Sequence, residues 1–383
     1  MAKVNREKVE NQCQQMEESQ NHDNSFIRMK AGGSVPSEEK CAIFEKNLEK
    51  KLACLIDEKM KEFVDKVYKI EKETTLSNYY LKHLMNNSPK DADFKKFREN
   101  PHKNRNPDVF CLEATRVRLK NSAGGSGCDY IHANYITIDN TKKAYIATQH
   151  PMPSTTVDFW NMVYNENIEV IVSLTSLVGP DFPTYYPTNR HSYTNYGSYQ
   201  IVCKSIKQGA HRYGPLIYTL EVVPQDGASS QTVQLIKYSS WSKNQVPIKT
   251  KVIMQLLRFM NKMKSFAPIL IQCETGINQS AVLIYVDALF HHLLESRTAD
   301  VDAVFQNIRK QRFAMMPQKI HFVYSIYTVL DMIKMRFQHA NSNADVIEKI
   351  KSLDKSLRPV FSKFVAEAHD NRTLSPTATD LFF

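Results

Sequence analysis

The stretch that most constrains this chain runs from Pro268 to Phe290 and reads PILIQCETGINQSAVLIYVDALF. Ile269, Leu270 and Ile271 carry a buried-strand signal. A short loop with one cysteine and one glycine follows, and a long apolar helical run opens at Ser280. A strand, a loop and a helix N-terminus in this order make an anion cradle, because loop N–H groups point inward and the helix dipole favours negative charge. At such a mouth a cysteine is commonly activated as a nucleophile, and Cys273 occupies that position.

Composition limits what can surround this unit. The 383 residues, 42% hydrophobic and 23% charged, suffice for one large domain with extensions or for two small ones. Cys13, Cys41, Cys54, Cys111, Cys128, Cys203 and Cys273 show neither paired nor metal-ligand spacing, which suits a reducing compartment and points to no metal and no cofactor. No signal peptide or membrane-spanning apolar run is present, and neither the Met-Ala start nor the Leu-Phe-Phe end carries a lipidation signal. Membrane insertion is therefore not expected. The formal charge of +10 comes with acids interspersed among the lysines, which reads as a solvated surface and not as a specific nucleic-acid site.

Along the chain, residues 1–40 are polar, broken by Gly-Gly-Ser-Val-Pro, and are expected to be a disordered tail. Residues 41–74 follow as an amphipathic helix on Ile43, Leu48, Leu52, Leu55, Ile56, Met60, Phe63, Val64 and Val67, suited to packing or to a partner. Residues 103–119 and 129–136 alternate as a hairpin around the turn Ala123–Gly127, and 168–176 reads as a central buried strand. Helices are expected over 248–266, 280–296 and roughly 302–310, with His291 and His292 structural. A charged tail (336–383) holds a short helix at 344–353.

Several of these segments together resemble the cysteine-based protein tyrosine phosphatases of non-receptor type. The signature H-C-S-A-G-x-G-R-S-G aligns on Cys273, Gly276 and Ser280. Lys103, Asn104, Arg105, Asp108, Arg116, Asp129, Tyr130, Ala133 and Asn134 match a second block. AYIATQHPMPSTTVDFWNMV (144–163), the frame Tyr238, Trp241, Val246 and Pro247, and Arg309, Gln311, Arg312 and Met315 match further blocks. The resemblance covers about residues 75–335 and implies an α/β (α+β) fold, a twisted mixed sheet flanked by helices with extensions at both ends. His132, standing for an asparagine, is shared with the phosphatase-like proteins of bracoviruses, the viruses of parasitoid wasps.

Residues that build the family's fold are largely kept, while those that perform its reaction are altered. Gln272 stands for the histidine, Glu274 for a serine, Asn278 for the second glycine and Gln279 for the phosphate-gripping arginine. Lys243 occupies the position of the general-acid aspartate, Asn106 that of the stacking tyrosine, and Pro317 and His321 those of two glutamines. His150 stands for a glycine; a ligand or base role is open to it, but a tolerated replacement is the simpler reading. A general acid contributes roughly 10²–10⁴ in rate and each charge-assisted bond of the arginine about 1.5–3 kcal/mol. Their joint loss raises the barrier by on the order of 6–9 kcal/mol.

The resemblance thus implies a pseudophosphatase that binds host proteins, not phosphotyrosine, in the cytoplasm of an infected insect cell and interferes with immune-cell signalling. The alternative is a slow or altered phosphatase using Cys273. In the family the general-acid loop closes over the phosphate loop, so Lys243 and Glu274 either meet as an ion-pair latch or both face solvent.

Overall fold

A computed structural model of the protein describes residues 38–85, 93–120, 128–139, 141, 143–175, 179–208, 214–241, 245–247, 249–262, 267–338 and 343–370. Most of the expected polar tail, the turn 123–127 and Lys243 lie outside these residues. The chain divides into two compact units, Met1–Lys51 and Leu52–Phe383. Of the first unit the structure describes the opening turns of helix α1 (Glu38–Glu73), where Lys46, Glu49, Lys50 and Lys51 are exposed.

The second unit is built on one nine-stranded sheet. Its strands are β1 (Arg116–Arg118), β2 (Tyr130–Thr137), β3 (Ala144–Gln149), β4 (Val170–Ser173), β5 (Tyr193–Tyr196), β6 (Tyr199–Gln208), β7 (Leu216–Pro224), β8 (Gln231–Lys237) and β9 (Ile269–Cys273). They lie in the order β1-β2-β3-β9-β4-β8-β7-β6-β5. The four central strands β3, β9, β4 and β8 run parallel, and the flanking pairs are antiparallel. Central parallel strands are buried on both faces, which explains the unbroken apolar run of β4 and its full burial.

Alternation along β9 divides the core. Leu270 joins a cluster with Phe159 and Trp160 of α2 (Thr156–Asn165), whereas Ile271 and Cys273 face the other side. That side is covered by α1, by the short helical turns Leu76–Tyr79 and Tyr80–Leu84 and by longer helices that follow. The longer helices are α3 (Lys251–Lys262), α4 (Gln279–Leu294), α5 (Val301–Gln311), α6 (Lys319–Phe337) and α7 (Ala344–Asp370). Every residue from Gln279 to Leu289 is buried, so α4 is the hydrophobic axis of this layer. Within the second unit, Met60, Phe63, Val64 and Val67 of α1 form one buried stripe at helical spacing.

Two expectations need correction. The segment 103–119 is not a long strand, because β1 covers Arg116–Arg118 and the residues before it make short 3₁₀ turns. The charged C-terminal segment holds a helix of 27 residues, well beyond 353, and Val346, Ile350, Leu353 and Leu357 join the core. Their spacing of three and four places them on one helical face. Lys349 and Arg336 secure the neighbouring surface to α1 through Asp65 at 2.8 Å and Asp57 at 2.6 Å.

Candidate active site

The parallel strands all end at one place. Gln149 is level with Cys273, Thr148 and Ser173 with Gln272, and Lys237 with Ser173. Ligands of open α/β sheets bind at such carboxyl ends, where loops converge and a helix N-terminus can face them. From Cys273 the chain turns through the loop 274–278 into α4. Gly276 makes the turn possible with φ of +75°, a left-handed conformation that L side chains avoid. A Cβ there would also lie 2.5 Å from Thr148 O and 2.6 Å from the Arg312 guanidinium.

That close approach belongs to the loop's main support. Arg312 is completely buried and directs four hydrogen bonds around the loop. Its Nε donates to Gly276 O at 2.8 Å, Nη2 to Thr275 O at 3.0 Å and to His132 Nδ1 at 3.3 Å, and Nη1 to Asn134 Oδ1 at 2.8 Å. Asn134 in turn donates to Leu112 O and Thr115 Oγ1. Inside the loop the Gly276 N–H points at Cys273 Sγ, 3.2 Å away, and the thiol itself is fully buried.

A second polar network lies behind the loop on the opposite face. Gln272 accepts from Tyr185 OH at 2.6 Å and donates to His150 Nδ1 at 2.6 Å and Thr175 Oγ1 at 3.2 Å. His150 passes the chain on to Pro183 O at 3.1 Å. Burial first, with Arg105 and Lys237 adding, holds the His150 ring down to about 4, so it is neutral at physiological pH. His150 therefore does more than tolerate the loss of a glycine: it joins β9 to the loop after β4. Tyr185, in the run Tyr185-Tyr186-Pro187, carries no local sequence signal of its contact with Gln272.

The remaining altered positions are spread around this centre. Asn106 is half-buried and its Oδ1 accepts the Asp108 N–H at 2.8 Å, closing an Asx turn in its own loop. Arg105 beside it donates to His150 O and Pro151 O and lies 4.2 Å from the Phe182 ring centre. Glu274 and Asp181 act electrostatically on that guanidinium, so Glu274 has a cation nearby that is not Lys243. Gln279 and Asn278 are buried, Asn278 preceding α4 without capping it. Pro317 is exposed, whereas His321 is fully buried and donates to Gln245 O at 3.2 Å. Trp241 Nε1 shares that carbonyl at 2.6 Å. The Lys243–Glu274 latch cannot be placed, since Lys243 lies outside the described residues.

Comparison with known sequences agrees with this architecture. A profile of the protein-tyrosine phosphatase family matches residues 100–331. Rat receptor-type tyrosine-protein phosphatase zeta is 30% identical over 255 residues, 63% of this chain and 11% of that protein. Rat tyrosine-protein phosphatase non-receptor type 20 is 27% identical over 249 residues, 63% of this chain and 57% of that protein. A Lar-like tyrosine-protein phosphatase of Caenorhabditis elegans is 29% identical over 245 residues, 61% of this chain and 11% of that protein. The chain thus spans a small part of the receptor-type relatives and little over half of the non-receptor one.

Proposed function

This chain belongs to the protein-tyrosine phosphatase family, and from that premise we propose that it is a catalytically silent member that works by binding proteins. The phosphate loop carries this reading. Gln279, at the position of the phosphate-gripping arginine, is neutral, and buried Arg312 directs its four hydrogen bonds to the loop's own carbonyls, Asn134 and His132. Arg312 therefore supports the loop and leaves no charge-assisted grip for a phosphate dianion.

The pair Gln272–His150 favours a maintained fold over simple decay. Both residues depart from the family pattern, yet they meet at 2.6 Å within a connected network. Unrelated changes would leave buried polar groups unpaired at a cost of about 1–3 kcal/mol each. No helix of the described residues is long and apolar enough to cross a membrane, and we assign the protein to the cytoplasm of an infected host cell. The resemblance at His132 supports a bracovirus-type protein whose partners are insect proteins of immune-cell signalling.

One observation favours a second reading, a slow or altered phosphatase: the Gly276 N–H still points at Cys273 Sγ. Titration calorimetry with matched tyrosine and phosphotyrosine peptides tests the first. We expect no preference between them; a tenfold preference for the phosphorylated form, about 1.4 kcal/mol, contradicts it.

A further inference from the structure

Three histidines occupy positions where the family pattern has other residues, and the structure gives them one common role. His132 on β2, His150 after β3 and His321 on α6 are all buried. Each ring places Nε2 against a backbone carbonyl: His132 on Val109 O at 2.7 Å, His150 on Pro183 O at 3.1 Å, His321 on Gln245 O at 3.2 Å. Those carbonyls belong to three separate loops around Cys273. One carries Asn106, one follows β4, and one leads on from Trp241.

The other ring nitrogen fixes the protonation state. His132 Nδ1 lies 3.3 Å from the Arg312 guanidinium and accepts from it. His150 Nδ1 accepts from the Gln272 amide at 2.6 Å, while Tyr185 OH holds the amide's oxygen. His321 Nδ1 is buried with no hydrogen-bond partner among the described residues. All three must therefore be neutral, with the proton on Nε2. A second proton would face a guanidinium in His132 and an amide donor in His150, and would be buried without an acceptor among the described residues in His321.

The surrounding charges reinforce this. Arg312 acts on His132, whose ring also meets Phe97. Arg105 and Lys237 act on His150, which packs on Phe182 and Tyr185 and whose backbone N–H donates to the main-chain oxygen of Glu274. No charged group acts on His321 among the described residues. Among the described residues the charges acting on His132 and His150 are positive and none acts on His321, so an imidazolium is disfavoured where each ring sits.

We propose that His132, His150 and His321 are acid-released staples: neutral, they hold three loops against the sheet, and on protonation each ring leaves and frees its loop. The site rim then loosens while β9 and α4 stay folded. This holds whether or not the chain hydrolyses phosphate.

Hydrogen exchange of the full chain at pH 7.5 and 5.0, corrected for the intrinsic pH dependence of exchange, reads this directly. Protection is expected to fall by about tenfold or more around Val109, Pro183 and Gln245 and to stay unchanged in β9 and α4. His321→Gln keeps an N–H donor without a titrating ring. It should abolish the response at Gln245 and leave the other two. The proposal is overturned if the three segments keep their protection at pH 5.0, if β9 and α4 lose theirs equally, or if the Gln245 response survives His321→Gln. Should that variant fail to fold, the comparison of rim with core in the unaltered protein decides alone.

Discussion

Replacing Arg312 by methionine lowers stability by roughly 3–5 kcal/mol. The substitution keeps an unbranched apolar stem but removes the donors to Gly276 O, Thr275 O, Asn134 Oδ1 and His132 Nδ1. Each buried acceptor left alone costs about 1–3 kcal/mol, and relief of the guanidinium's own burial offsets part of the total. Arg309 provides the control. It is also buried, but Nε and Nη1 make no hydrogen bond among the described residues and the group lies 5.5 Å from the Phe305 ring centre. Arg309→Met should therefore cost clearly less. Denaturant midpoints of the two variants check the order, and equal losses would show that Arg312 is not the loop's main support.

Acid should destabilise the protein well before its carboxylates are protonated. Burial, with Arg312 adding, holds His132 down to about 3; burial also takes His150 and His321 to about 4. The unfolded chain titrates these rings near 6.5. As pH drops below that value the unfolded state gains protons that the folded state refuses, so stability is fully present above about pH 6.5 and declines toward pH 4. At pH 5 each ring costs on the order of 2 kcal/mol, up to about 6 kcal/mol for the three. Release of a loop caps its share at the free energy of opening that loop. A fall in unfolding free energy of at least about 2 kcal/mol between pH 7.5 and 5.0 is expected by this linkage. A flat profile in that window would mean that the rings are not held neutral.

The strand, loop and helix around Cys273 were legible because each part carries a local signal: three apolar residues, one glycine and a continuous apolar helix. The C-terminal helix was legible only in part. Val346, Ile350, Leu353 and Leu357 keep helical spacing, but the charged residues among them weaken the periodicity, and the helix continues through Pro359, a residue type that usually ends one. The staples were not legible at all. His132 meets Val109, His150 meets Pro183 and His321 meets Gln245 across long sequence separations that no periodicity encodes. The sequence marks each histidine as a departure from a pattern, and only the folded sheet shows what the departures share. The same holds for Gln272 and His150, which look like two separate losses until their side chains meet.

Turnover decides whether the loop after Cys273 is silent. Release of phenol from an aryl phosphate should be followed for the unaltered protein and for Cys273→Ser under identical conditions. The neutral Gln279 and the lysine at the general-acid position together predict equal rates, both indistinguishable from buffer. A rate clearly above buffer that Cys273→Ser abolishes would contradict the account and establish the chain as a working phosphatase.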